Sequence, residues 1–207
     1  MNILYGIILV VVAYFIGNLD FAYIMVKAVK GEDVRNYGSG NAGTTNVLRT
    51  MGLKYAAPVF LLDALKGSFV IVAARMMGFS EAWVVAGGLA VIIGHNWPVC
   101  LGFRGGKGTA TSIGLFVFFD WKVALIAIAI GLIVLAIFKM VSLTSIVGMT
   151  ALPIVVLCLY QMNNIPEFIF ALLLCISSVF QHRTNIKRII AGTESKIGQK
   201  VKMTDKK

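Results

Sequence analysis

Apolar stretches of about 20 residues follow one another along this chain with only short polar breaks, and that constrains the fold more than any motif does. A helix of that length can cross a hydrocarbon core about 30 Å thick, and inside lipid a helix satisfies its own backbone. Of the 207 residues, 58% are hydrophobic and 14% charged, with mean hydropathy +0.87; soluble domains carry about 25% charged residues. The chain therefore reads as an all-α integral membrane protein without room for a separate soluble domain. One domain is expected over residues 1–207, with 195–207 a mobile basic tail. The first apolar run lacks a basic leader and is too long for a signal core, so it predicts a retained helix.

The expected spans are Asn2–Met25, Ala56–Met77, Ala82–Ile93 or slightly beyond, Thr109–Phe119, Val123–Phe138, Leu143–Tyr160 and Glu167–Phe180. Asp120, Trp121 and Lys122 separate the fourth from the fifth; joined, the two would form a helix about 45 Å long. Charge decides the same point. With seven spans and the N-terminus outside, sixteen of the nineteen Lys and Arg residues fall on the cytoplasmic side. Merging two spans would send Lys139 and the basic tail outward, against the positive-inside tendency. Seven spans, N-terminus outside and C-terminus cytoplasmic, is the expected topology. The net charge of +10 then belongs to loops facing anionic head groups and substrates, and does not mark nucleic-acid binding. Cys100, Cys158 and Cys175, odd in number and in or beside apolar runs, predict packing residues without a disulfide framework.

This topology brings the polar segments 31–49, 94–108 and 181–194 to one face. The first holds Gly38, Ser39, Gly40, Asn41, Gly43, Thr44, Thr45, Asn46 and Arg49. Three glycines leave backbone N–H groups uncovered, and a loop rich in short donors that runs into a helix start suits a phosphate. A plain turn between helices has a similar composition. The second segment repeats the logic with Gly105, Gly106 and Gly108 around Lys107, before a helix beginning near Thr109. It is not a Walker A loop, since Leu101 stands where the first glycine belongs and Gly108 follows the lysine. His95 and Trp97 read as interfacial or structural residues. In the third segment His182 and Asn185 share a helical face if the last helix continues, with Arg188 on the same line; a basic helix end would look alike. Asp63 and Lys66 are spaced to pair within the second span, as a structural lock or as a substrate contact. The remaining acids on that face, Glu32, Asp33 and Glu194, are too scattered to suggest a metal cluster.

Taken together, GSGNAGTTNVLR, GHNWPV with FRGGKGTAT, and HRTNIKRIIAGTE resemble the PlsY family of bacterial acyl-phosphate-dependent glycerol-3-phosphate acyltransferases, in the same order and with membrane helices between them. Arg104 departs from the lysine common in that family, and Gln181 from the common arginine. The resemblance implies transfer of a fatty acyl group from acyl phosphate to the 1-hydroxyl of glycerol 3-phosphate, giving lysophosphatidic acid and phosphate. It implies an active site on the cytoplasmic face of the bacterial inner membrane, with no cofactor and no metal. The partners are the two substrates and the bilayer, with no nucleic acid; a monomer is compatible, and the sequence leaves the oligomeric state open. Carried over by motif, Ser39, Asn41, Thr45, Arg49, Lys107, His182 and Asn185 belong at the site. The expected roles are Ser39, His182 and Asn185 in catalysis, and Gly38, Gly40, Asn41, Thr45, Arg49, Gly105, Gly106, Lys107 and Gly108 in holding two phosphates, the Lys107 loop taking glycerol 3-phosphate. The proton acceptor is either His182 or the donor's phosphate. A transporter or binding protein for phosphate-ester anions is the alternative, although no internal repeat is evident.

Overall fold

A computed structural model describes residues 2–161 and 163–199; the remainder of the expected tail, 200–207, lies outside the described residues. The described residues are helical with no strand. The first expected span is longer and broken: α1 (Ile3–Gly17) ends at Asn18, and α2 (Phe21–Lys30) begins after Asp20. The break has a local cause. The Asp20 side chain caps α2 by accepting the N–H of Tyr23 at 2.9 Å, and the Asn18 amide donates back to the Tyr14 carbonyl at 2.8 Å. A break in lipid strands backbone carbonyls. Here those of Gly17 and Leu19 accept from the Lys66 ammonium at 3.3 and 2.7 Å.

After loop 31–43 comes the short helix α3 (Thr44–Met51), then α4 (Leu53–Met76) and α5 (Glu81–Asn96). The fourth and fifth expected spans are separate helices, α6 (Thr109–Phe119) and α7 (Trp121–Phe138), parted at Asp120, whose carboxylate caps α7 through the N–H groups of Lys122 and Val123. Then follow α8 (Val141–Tyr160), α9 (Ile165–Gln181) and α10 (Arg183–Ile190), the last two meeting at a 62° bend. Five of the described helical stretches are long and apolar enough to cross a membrane, and the bent pair makes a sixth. The eleven residues of α6 reach only about 16 Å.

Glycines let these helices touch backbone to backbone, the contact that drives association in lipid. A Cβ on Gly114 of α6 would stand 1.9 Å from the Ala64 carbonyl of α4, and one on Gly94 of α5 would stand 2.1 Å from the Tyr14 carbonyl of α1. At the centre of the bundle Phe116 stacks on Phe170 at 5.5 Å between ring centroids, beside Leu115, Ile71 and Leu174. The three cysteines are free, but Cys100 and Cys158 are exposed and not the packing residues expected.

Candidate active site

The first glycine loop is organised by Asn46, a buried residue near the start of α3. Its amide nitrogen donates to the carbonyls of Val34, Tyr37 and Asn41, each at 3.0 Å, and its oxygen accepts the N–H of Ser39 at 2.9 Å. The chain can follow that knot because Gly38 and Gly40 take left-handed φ values of 56° and 72°; a Cβ on Gly38 would lie 2.3 Å from the Asn46 oxygen. The second loop is folded onto the end of α5. Gly105 and Gly106 donate to the carbonyls of Asn96 and His95 at 3.3 and 3.0 Å, and a Cβ on either glycine would strike His95 at 2.1 Å.

The glycines thus act otherwise than the sequence suggested. Their N–H groups were expected to be uncovered, yet those of Gly40 and Gly43 are bonded within the first loop and those of Gly105 and Gly106 to the end of α5. Close approach is what these positions require. The uncovered amides are at the two helix starts, where Gly43 and Gly108 cap α3 and α6 without any side-chain cap. Helix N-termini of this kind favour an anion.

Both starts open on one cavity of about 170 Å³. Ser39, Asn41, Thr45, Arg49, Lys107, Gly108, His182 and Asn185 all line it, so eight of the expected residues converge. Gly38, Gly40, Gly105 and Gly106 are not among its lining residues and stand behind it as loop framework. Sequence reasoning left out Ser142 and Ser145 of α8, and gave no site role to His95 or Thr44, all of which line the cavity. The Thr44 hydroxyl is buried with no partner among the described residues.

Glu194 was the main omission. Its carboxylate accepts from Ser142 at 2.9 Å, from the Asn185 amide at 2.8 Å and from Arg188 at 2.6 Å, and lies 3.7 Å from Arg49. Burial alone would raise its pKa, but the bonds from Arg188, Asn185 and Ser142 outweigh burial and hold the carboxylate below its usual range. Asn185 is fixed from both ends, since the Lys107 ammonium donates to its oxygen. Burial, helped by Arg188, lowers Lys107 to about 8, against the opposing pull of Glu194. Burial likewise lowers Arg49. With Glu194 engaged by Arg188 and Asp63 paired with Lys66, Arg49 and Lys107 leave an electropositive pocket.

His182 sits in the bend between α9 and α10, so the helix does not run straight through the motif. Its Nδ1 lies 2.8 Å from the Ser178 carbonyl. A ring nitrogen facing a carbonyl carries the proton, which leaves Nε2 as an acceptor. Asp63 and Lys66 pair at 2.8 Å within α4, and Lys66 also bonds the Nδ1 of His95 at 2.8 Å. That cluster ties α4 to the α1–α2 break and to α5.

A second, apolar cavity adjoins the first and shares Phe60, Thr109, Val141 and Ser145 with it. It runs between α6, α7 and α8, past Gly131 and Gly148, to Phe116, Met149 and Leu152.

Comparison with known proteins identifies the family. Residues 7–192 match the model of the glycerol-3-phosphate acyltransferase family. The glycerol-3-phosphate acyltransferase of Thermoanaerobacter sp. (strain X514) is 49% identical over 97% of this chain and 100% of that protein. That of Clostridioides difficile (strain 630) is 47% identical over 97% and 99%. Among solved structures, crystals of PlsY, an integral membrane glycerol 3-phosphate acyltransferase, match in the glycerol 3-phosphate form with a TM-score of 0.86 and 35% identity. The lysophosphatidic acid form matches with 0.82 and 32%, and both cover 94% of this chain and 96% of theirs. Matches of that extent, by sequence and by fold, show that this chain belongs to the glycerol-3-phosphate acyltransferase (PlsY) family of integral membrane acyltransferases.

Proposed function

We propose that this chain is a single membrane-embedded domain that moves a fatty acyl group from acyl phosphate to the 1-hydroxyl of glycerol 3-phosphate, releasing lysophosphatidic acid and phosphate. The observation carrying this reading is the meeting of two uncapped helix starts, Arg49 and Lys107 in one cavity beside an apolar channel. Two phosphate-bearing substrates need two anion sites, and an acyl tail needs a dry groove. In this reading the Lys107 loop takes the acceptor's phosphate and the loop of Ser39, Asn41 and Thr45, with Arg49, takes the donor's.

An acyl phosphate is already activated, so placement and donors aimed at the developing oxyanion can supply most of the rate. The acceptor's hydroxyl oxygen attacks the acyl carbon, the bond to the phosphate oxygen breaks, and the proton passes to the free Nε2 of His182 or to an oxygen of the departing phosphate. Asn185, held by Lys107 and Glu194, orients the acceptor, and Ser39 completes the catalytic group at the cavity wall.

Seven crossings with a cytoplasmic C-terminus remain the topology this reading favours. In it α6 is the short fourth crossing. Support comes from Arg75 at the end of α4, which donates to the carbonyls of Phe118 and Phe119 at 2.8 and 3.1 Å and so sets the end of α6 level with the far end of α4. The site then faces the cytoplasm in the bacterial inner membrane.

Purified protein given palmitoyl phosphate and glycerol 3-phosphate should yield lysophosphatidate and phosphate in equal amounts. Activity with palmitoyl-CoA and none with palmitoyl phosphate would overturn the donor. His182→Ala separates the proton routes: loss of turnover assigns the proton to the imidazole, and near-normal turnover assigns it to the donor's phosphate.

A further inference from the structure

The imidazole of His95 is 3% exposed, lines the phosphate cavity and has no part in the chemistry described above. Its environment fixes its protonation. Lys66 approaches Nδ1 at 2.8 Å while also meeting the Asp63 carboxylate at 2.8 Å and the Leu19 carbonyl at 2.7 Å. An ammonium has protons and no lone pair, so it can only donate. The Nδ1 atom must therefore be the acceptor, and the single ring proton resides on Nε2. Asp63 pairs with Lys66 and holds it in place, so the tautomer is built into the α4–α5 contact.

The protonated nitrogen is directed to where the two glycine loops meet. A Cβ on Gly106 would lie 2.1 Å from Nε2 and 2.7 Å from the carbonyl oxygen of Ala42, so ring, second loop and first loop are in contact at that point. Among the described residues no hydrogen bond reaches His95 Nε2, and the buried Thr44 hydroxyl in the same cavity is likewise without a partner. A buried donor left unpaired costs about 1–3 kcal/mol, so the Thr44 hydroxyl, in the same cationic cavity as a ring N–H that no hydrogen bond reaches, marks the place of a missing acceptor.

We propose that His95, through Nε2–H, is a neutral hydrogen-bond donor to a phosphate oxygen bound between the two loops, and that Lys66 is the positioning residue that enforces the required tautomer. This deepens the acyl-transfer reading and rests on it for the identity of the phosphate. His95 and His182 then present opposite tautomers to one cavity, the first giving a proton to a hydrogen bond and the second offering a lone pair.

Two substitutions separate a donor from a mere partner for Lys66. His95→Gln retains an N–H near the position of Nε2 but loses the acceptor for Lys66. His95→Asn retains an acceptor near the position of Nδ1 but loses the distal donor. The proposal expects His95→Asn to weaken inorganic phosphate binding, read by calorimetry on the purified protein, by about ten- to hundredfold, the loss of one hydrogen bond to a charged group. His95→Gln should recover most of that affinity. KM should follow the same order with kcat little changed: a rise for glycerol 3-phosphate assigns His95 to the acceptor, and a rise for acyl phosphate assigns it to the donor. The reverse ranking, with Asn normal and Gln defective, would overturn the proposal in favour of a structural role. A fall in kcat at unchanged KM and unchanged phosphate affinity would overturn it too. Phosphate affinity is measured without turnover, so a wild-type protein inactive on acyl phosphate would refute the proposed function while leaving this comparison intact. A melting curve in detergent confirms that each variant is folded before it is scored.

Discussion

Lys107 is the side chain whose environment makes the sharpest demand on solution conditions. Burial and neighbouring arginines bring it from 10.5 to about 8. Because the folded value is the lower one, the unfolded chain holds a proton that the folded chain has shed between about pH 8 and pH 10.5. Stability therefore rises with pH in that window, while the cavity loses a cation. Activity and stability should move apart. We expect kcat/KM for glycerol 3-phosphate to level off below pH 8 and to fall about tenfold per unit above it, since this ratio reports groups of the free enzyme. Lys107→Arg, which keeps its charge throughout, should flatten the alkaline limb even if its planar head lowers the maximum. An alkaline limb unchanged in Lys107→Arg would dissociate the profile from this residue. The cations were legible in the sequence because charge beside glycine is a local pattern. Glu194 was not, because its meaning comes from Ser142, 52 positions away, and from Arg49, both of which only the folded bundle brings to it.

Between elements, the critical contact for the site is α4 against α6, since α6 starts at the Lys107 loop and α4 carries Phe60 and Asp63 into the cavity wall. That contact is made without side chains at two points. A Cβ on Gly67 would fall 2.4 Å from the Thr111 carbonyl, and one on Gly114 would fall 1.9 Å from that of Ala64. Gly114→Ala must push the helices apart, at a cost of about 1–3 kcal/mol for overpacking, or several degrees of melting midpoint for a chain of this size. It should also raise KM, because the start of α6 moves with the helix. Gly87→Ala is the control. Its Cβ would meet Leu9 and Val70 at an ordinary 3.5 Å, and alanine is the better helix former by about 1 kcal/mol, so its midpoint should hold or rise. Equal losses in the two variants would refute the contact. Helix boundaries were mostly readable from hydropathy, and the split at Asp120 from its charge. The break at 18–20 was hidden because its stabilising partner, Lys66, lies far along the chain.

For the whole molecule, the depth of the site is the decisive property. Asp63 lines the cavity ten residues into α4 from Leu53, about 15 Å along the axis, so in the proposed reading the cavity reaches down along a membrane-spanning helix. An acyl phosphate could then place its head in the polar cavity while its tail remains in hydrocarbon, along the channel between α6, α7 and α8. The sequence foretold a groove for the tail among the apolar helices but not which helices form it, because α7 is apolar nearly all round and offers no stripe from which a facing side could be read. Midway along it Gly131 and Gly148 line the wall where α7 meets α8: a Cβ on Gly148 would stand 3.4 Å from the Ala127 carbonyl and 3.9 Å from the Cα of Gly131. Gly148→Leu should therefore fill the channel beyond the first turns of the tail while leaving the polar cavity intact. Each methylene kept from a dry groove forfeits about 0.8 kcal/mol, so excluding four should reduce kcat/KM for palmitoyl phosphate about a hundredfold and barely affect lauroyl phosphate. KM for glycerol 3-phosphate should stay at the wild-type value, because the Lys107 loop is unaltered. A uniform loss across donors of all lengths would place the tail elsewhere, against the lipid-facing surface of the bundle and outside this channel.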